Sequence, residues 1–95
     1  MEFKIKEKSI LARICRFFMK SKSIAMVFGS TIHLSGVDRA TFMANKKWFK
    51  HELEHIRQYK KYGIFIFLVL YTIESIRHGY YKNKFEIEAT AAENK

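Results

Sequence analysis

His51, Glu52 and His55 are the residues whose types and spacing can do chemistry in this chain. They form the run His51-Glu52-Leu53-Glu54-His55, an H-E-x-x-H sequence. On a helix, positions i and i+4 stand one above the other, about 6 Å apart at Cβ, so two imidazoles can converge on one zinc ion. The glutamate beside the first histidine is then placed to hydrogen-bond a metal-bound water and to act as general base. The pattern would arise by chance roughly once in 70 chains of this composition, so it needs support from the element that carries it.

That element is predicted to be a helix over residues 46–62, with Asn45 as its cap and Gly63 as its stop. At 100° per residue, Lys50, Glu54, Arg57 and Lys61 share a polar arc that should face solvent, and Trp48, Phe49, Leu53, Ile56 and Tyr59 share the opposite apolar arc. Glu52 falls inside the apolar arc, and His51 and His55 lie on its edge with Tyr62. A carboxylate on a core face needs a partner or a role. Either Glu52 forms a salt bridge to a Lys or Arg, with the histidines as ordinary boundary residues, or it serves the chemistry.

Catalytic zinc sites usually take three protein ligands and one water. No third histidine stands at a suitable spacing. Downstream is Phe85-Glu86-Ile87-Glu88-Ala89, at the start of a helix predicted over residues 84–92 and capped by Asn83. Glu86 can be the third ligand or complete a capping box with Asn83. Glu88 competes with it, but two residues on a helix diverge by about 200°, so regular geometry lets only one face the metal.

The remaining elements must position these residues. Ser9 can cap an amphipathic helix over residues 9–20, whose Ile10, Leu11, Ile14, Cys15 and Phe18 should cover the core while Arg13, Arg16 and Lys20 face away. Residues 23–35 alternate as a hairpin about a Gly29–Ser30 turn, and Asp38 can cap a short helical turn. Residues 64–78 are apolar nearly all round. They suit a core helix and leave exposed apolar surface that could support self-association. The expected fold is α+β and mainly helical, about four helices plus one small β-hairpin in a single domain spanning residues 1–95.

The chain has 95 residues, 18 Lys+Arg against 9 Asp+Glu, a formal charge of +9, an apolar fraction of 48% and no proline. That apolar content argues against a disordered basic tail. A single cysteine, Cys15, excludes an internal disulfide framework. Lys4, Lys6 and Lys8 could open a signal peptide, but Arg13 and Arg16 break the apolar run that should follow. The longest apolar stretch is too short to span a bilayer. These features place the protein in the cytoplasm, with contact to an anionic membrane surface suggested by seven basic residues in the first 22 positions. No RNP, zinc-finger or glycine-rich phosphate signature accompanies the charge, so no specific nucleic-acid partner is expected.

HELEHIRQ followed by FEIEA resembles the gluzincin branch of zinc metallopeptidases, in which a glutamate on a following helix completes the H-E-x-x-H site. More narrowly, the chain is similar to small bacterial zincin-like proteins, with a His–Gln pairing (here His55 and Gln58) and a closing GYYxNxFEIEA segment (here residues 79–89). The resemblance covers residues 23–92. It implies zinc held by His51, His55 and Glu86, Glu52 as general base, a peptide or protein substrate, and residues 31–34 as the edge strand on which an extended substrate lies. Tyr80 and Tyr81, then His78 and His33, are the candidate donors to the oxyanion. The chain departs from larger gluzincins at Thr90, where an aspartate often supports a zinc-binding histidine, and in lacking a second subdomain.

Overall fold

The structure, a computed structural model, describes residues 2–95. The elements, in chain order, are β1 (Lys4–Lys6), α1 (Ile10–Met19), β2 (Ile24–Phe28), β3 (Thr31–Ser35), α2 (Arg39–Ala44), α3 (Lys46–Tyr62), α4 (Ile64–His78) and α5 (Lys84–Ala92). Five helices and a small three-stranded sheet make this a mainly helical α+β fold.

The sheet order is β1-β3-β2. β2 and β3 form the expected antiparallel hairpin, with Met26 opposite His33, about a turn in which Gly29 takes φ +67°. β1 adds in parallel to the other side of β3, with Ile5 opposite Ile32. The lysines at positions 4 and 6 therefore flank a strand residue. Lys-Ile-Lys is too short to show a period, which is why this strand escapes a sequence reading. Its addition makes β3 the central strand. The expectation that residues 31–34 form a free edge is thus corrected: the edge strands are β1 and β2.

Ile32 and Leu34 point from β3 into a fully buried cluster with Phe42 of α2 and Ile56 of α3, and Trp48, Phe49 and Leu53 pack around it. A second cluster joins Tyr59 of α3, Phe67 of α4 and Phe85 of α5. Four of the five helix starts are capped as their residue types predict: Ser9, Asp38, Asn45 and Asn83 accept from backbone N–H groups of their own first turns, while α4 follows Gly63 with no side-chain cap. Asn83 is fully buried and also donates to Tyr71 O and Ser75 Oγ, which fixes the α4–α5 turn. Gly36, at φ +80°, lies where an added Cβ would stand 2.1 Å from Lys22 O, so only glycine fits.

α1 departs from expectation. Its buried face is Ser9 and Ala12, with Cys15 and Arg16 half-buried. Ile10, Leu11, Ile14, Phe17 and Phe18 face solvent instead of covering the core. Small residues let the helix lie close on the sheet, so the apolar stripe read as inward faces outward.

Candidate metal centre

α3 is the platform. The i, i+4 spacing sets the His51 and His55 rings 5.0 Å apart between centroids. α5 packs across α3 and brings Glu86 to both: His51 Nε2 lies 3.0 Å from Glu86 Oε1, and His55 Nε2 lies 3.1 Å from Glu86 Oε2. One ligand atom from each of the three residues falls within 4.8 Å of the others. Two ligands about 2.1 Å from a tetrahedral zinc stand about 3.4 Å apart, so small side-chain adjustments suffice to hold the ion. Glu88 is exposed, and its Oε1 accepts from Gln58 at 3.3 Å.

The outer nitrogens of both rings are occupied. Gln58 Nε2 donates to Phe85 O, which turns Gln58 Oε1 to His55 Nδ1 at 2.9 Å. His55 Nδ1 therefore carries a proton and donates. His51 Nδ1 donates to Glu93 Oε2 at 2.9 Å. Each Nε2 is then left facing a carboxylate oxygen, across either a second proton or a cation. Outer partners of this kind fix the tautomer of a metal-binding histidine. The donor set of two imidazoles and one carboxylate suits zinc.

The electrostatics follow from this crowding. Burial pulls the His51 imidazole down, but hydrogen bonds to Glu86 and Glu93 outweigh it and raise its pKa to about 9. His55 is raised in the same sense: Glu86 outweighs its burial. Burial alone would raise Glu86, yet the two histidines hold it well below the carboxylate range. Glu52 is 6% exposed and forms no ion pair among the described residues. Burial pushes it up, and the two histidines pull it only partly back, to about 7. The salt bridge to a Lys or Arg that sequence left open for Glu52 is not formed.

A cavity of about 300 Å³ opens beside this group, with Glu52, His55, Glu86 and Tyr80 in its lining. A shallower depression of about 540 Å³, lined by His51, Glu93, Trp48 and Lys47, adjoins it. Glu52 and Tyr80 border both. Ile24, Ala25, Met26 and Val27 all line the cavity. Four consecutive strand residues can do so only where a cavity runs along the strand's edge. Tyr59 Oη donates to Val27 O, which ties that edge to α3.

The other sequence candidates separate. Tyr80 lines the cavity, and burial followed by the nearby Glu86 and Glu52 charges raises its hydroxyl pKa. Tyr81 is 90% exposed and lies outside it. His33 points to the other side of β3, where its Nδ1 meets Ser9 Oγ at 2.8 Å. His78 sits 4.0 Å from Glu74 on the exposed side of α4. Sequence reasoning missed two residues: Tyr71, whose hydroxyl donates to Glu86 Oε2, and Glu93. Glu93 lies seven positions after Glu86 on the same side of α5, a spacing that could have flagged it. It supplies the acidic partner for a histidine that Thr90 does not.

If His51, His55 and Glu86 hold zinc, Glu93→Gln is expected to weaken its binding about 10–100-fold without abolishing it. Competition titration against a chromophoric chelator reads this directly, and an unchanged affinity would remove Glu93 from the site. Comparison of the chain with protein-family models, with curated proteins and with solved structures gave no match.

Proposed function

We propose that this protein is a minimal zinc-dependent peptidase of the gluzincin type. The observation that carries the reading is the convergence of His51 Nε2, His55 Nε2 and the Glu86 carboxylate, with both outer ring nitrogens already engaged, beside a buried Glu52 that forms no ion pair among the described residues. His51, His55 and Glu86 would hold the zinc. The ion would supply Lewis-acid chemistry, polarising a carbonyl and acidifying a water. Glu52, poised near neutrality, accepts the proton of the attacking water and passes it to the leaving amine. Tyr80, at the junction of the two depressions, would donate to the oxyanion. An extended peptide would add to the free edge of β2, and the apolar wall of the cavity would take one of its side chains. The free thiol of Cys15 fits a reducing compartment such as the cytoplasm.

The same contacts support a second reading, a zinc-stabilised module without turnover. His51, His55 and Gln58 fasten α5 to α3 through Glu86, Glu93 and Phe85 O, so the ion would also act as a staple. Zinc-loaded protein should release acid-soluble peptides from unfolded casein and stop when a chelator is added. Loaded protein that releases none overturns the peptidase reading and leaves the module.

Zinc binding should also release protons. At pH 7 the His51 imidazole, with its pKa raised to about 9, is mostly protonated, and zinc needs the Nε2 lone pair. Affinity should therefore rise with pH up to about 9 and then level. Calorimetric titrations at pH 7 in buffers of different ionisation enthalpy should differ by the heat of at least one proton. Identical heats would contradict this protonation scheme.

A further inference from the structure

Two helices turn apolar ridges to solvent. On α1, Ile10 is 75% exposed and Phe17 and Phe18 are each 77% exposed. On α4, Phe65 is 84% and Ile76 79% exposed, with Ile66, Val69 and Ile73 between them. Scattered exposed apolar residues are ordinary, but whole helix ridges mark an interaction surface. Cations flank both: Arg13, Lys20 and Lys22 beside the α1 ridge, Lys60, Lys61 and Arg77 beside the ends of α4.

We propose that α1 and α4 seat this protein on an anionic membrane surface, apolar ridges in the interface and basic flanks on the headgroups. The charge selects this occupant. A second copy of the chain would bring its own +9 to the contact, and a nucleic acid would use the cations but leave the phenylalanines in water. No helix of the described residues is long and apolar enough to cross a membrane. α4, at 15 residues, extends about 22 Å against a hydrocarbon core of about 30 Å. A short apolar helix with basic flanks suits lying in the interface. Both helices also contribute to the cavity wall, Cys15 and Met19 from α1 and Leu68 and Tyr71 from α4. Docking would therefore bring the cavity to the membrane and make a membrane-associated chain the substrate. That last clause rests on the peptidase reading, whereas the docking does not require zinc.

Co-sedimentation of the full chain, with and without zinc, tests it. The vesicles are phosphatidylcholine alone or with about one-third phosphatidylglycerol. The protein should partition at least about tenfold more strongly onto the anionic vesicles, and lose about tenfold when salt rises from about 0.05 M to about 0.5 M. Replacing Phe17 and Phe18 with serine, or Phe65 and Ile76 with serine, should each lower partitioning about tenfold or more while the far-ultraviolet circular dichroism stays that of the parent. Four results would overturn the proposal: no partitioning onto anionic vesicles at low salt, equal partitioning by folded variants of both pairs, self-association that the same substitutions abolish without vesicle binding, or duplex DNA binding without vesicle binding. Vesicle binding by a protein that cleaves nothing would leave the docking standing and sink only the peptidase reading.

Discussion

Glu52→Gln is expected to hold zinc as the parent chain does and to lose peptide hydrolysis by about a thousandfold. Glutamine keeps the shape of the side chain and removes its ability to take a proton. Glu52 touches neither Nε2–carboxylate contact that gathers His51, His55 and Glu86, so the proposed donor set is left in place. Folding should not suffer. The parent buries a carboxylate with no ion-pair partner among the described residues, and a neutral amide at that position is cheaper to desolvate. Zinc stoichiometry, urea unfolding and the initial rate on casein, measured on one preparation, separate the possibilities. Retained zinc, retained stability and lost rate support a general base. A rate equal to the parent's would show that Glu52 takes no part in the chemistry.

His51→Ala is expected to lower zinc affinity by more than a hundredfold, beyond the 10–100-fold of an outer partner such as Glu93. It removes one ligand and also strips two carboxylates, Glu86 and Glu93, of the imidazole that both contact. Glu86 Oε1 then loses its partner while Oε2 keeps His55 and Tyr71, a loss of about 1–3 kcal/mol in the metal-free protein. The damage should concentrate where α5 meets α3, so amide exchange in Phe85–Ala92 should quicken more than in the Ile32–Leu34–Phe42–Ile56 cluster. An affinity within a fewfold of the parent's would place the metal elsewhere or nowhere.

The helix that carries His51, Glu52 and His55 was legible because one period does two jobs. The 3.6-residue repeat that stacks His51 on His55 also rotates Glu52 into the apolar arc, and the structure buries it there. Glu86 and Glu88 could be set against each other but not chosen between, since the choice depends on how α5 rolls against α3. Phe85, locked into the Tyr59–Phe67 cluster, fixes that roll. Tyr71 and Glu93 act across chain separations for which no local pattern exists. β1 was hidden by its brevity. The outward face of α1 was misread because an amphipathic pattern reports that a helix has an apolar side, not what that side meets. Here most of that side faces solvent. The seven basic residues in the first 22 positions suggested an anionic membrane surface, and the exposed ridge of α1 lies among them.

Zinc content bears most directly on the central claim that His51, His55 and Glu86 form a metal centre. Purified protein, equilibrated with zinc and freed of excess by dialysis, should contain about one zinc per chain by elemental analysis, and His51→Ala treated alongside should contain almost none. A parent chain without zinc, or a His51→Ala chain with as much as the parent, would contradict it.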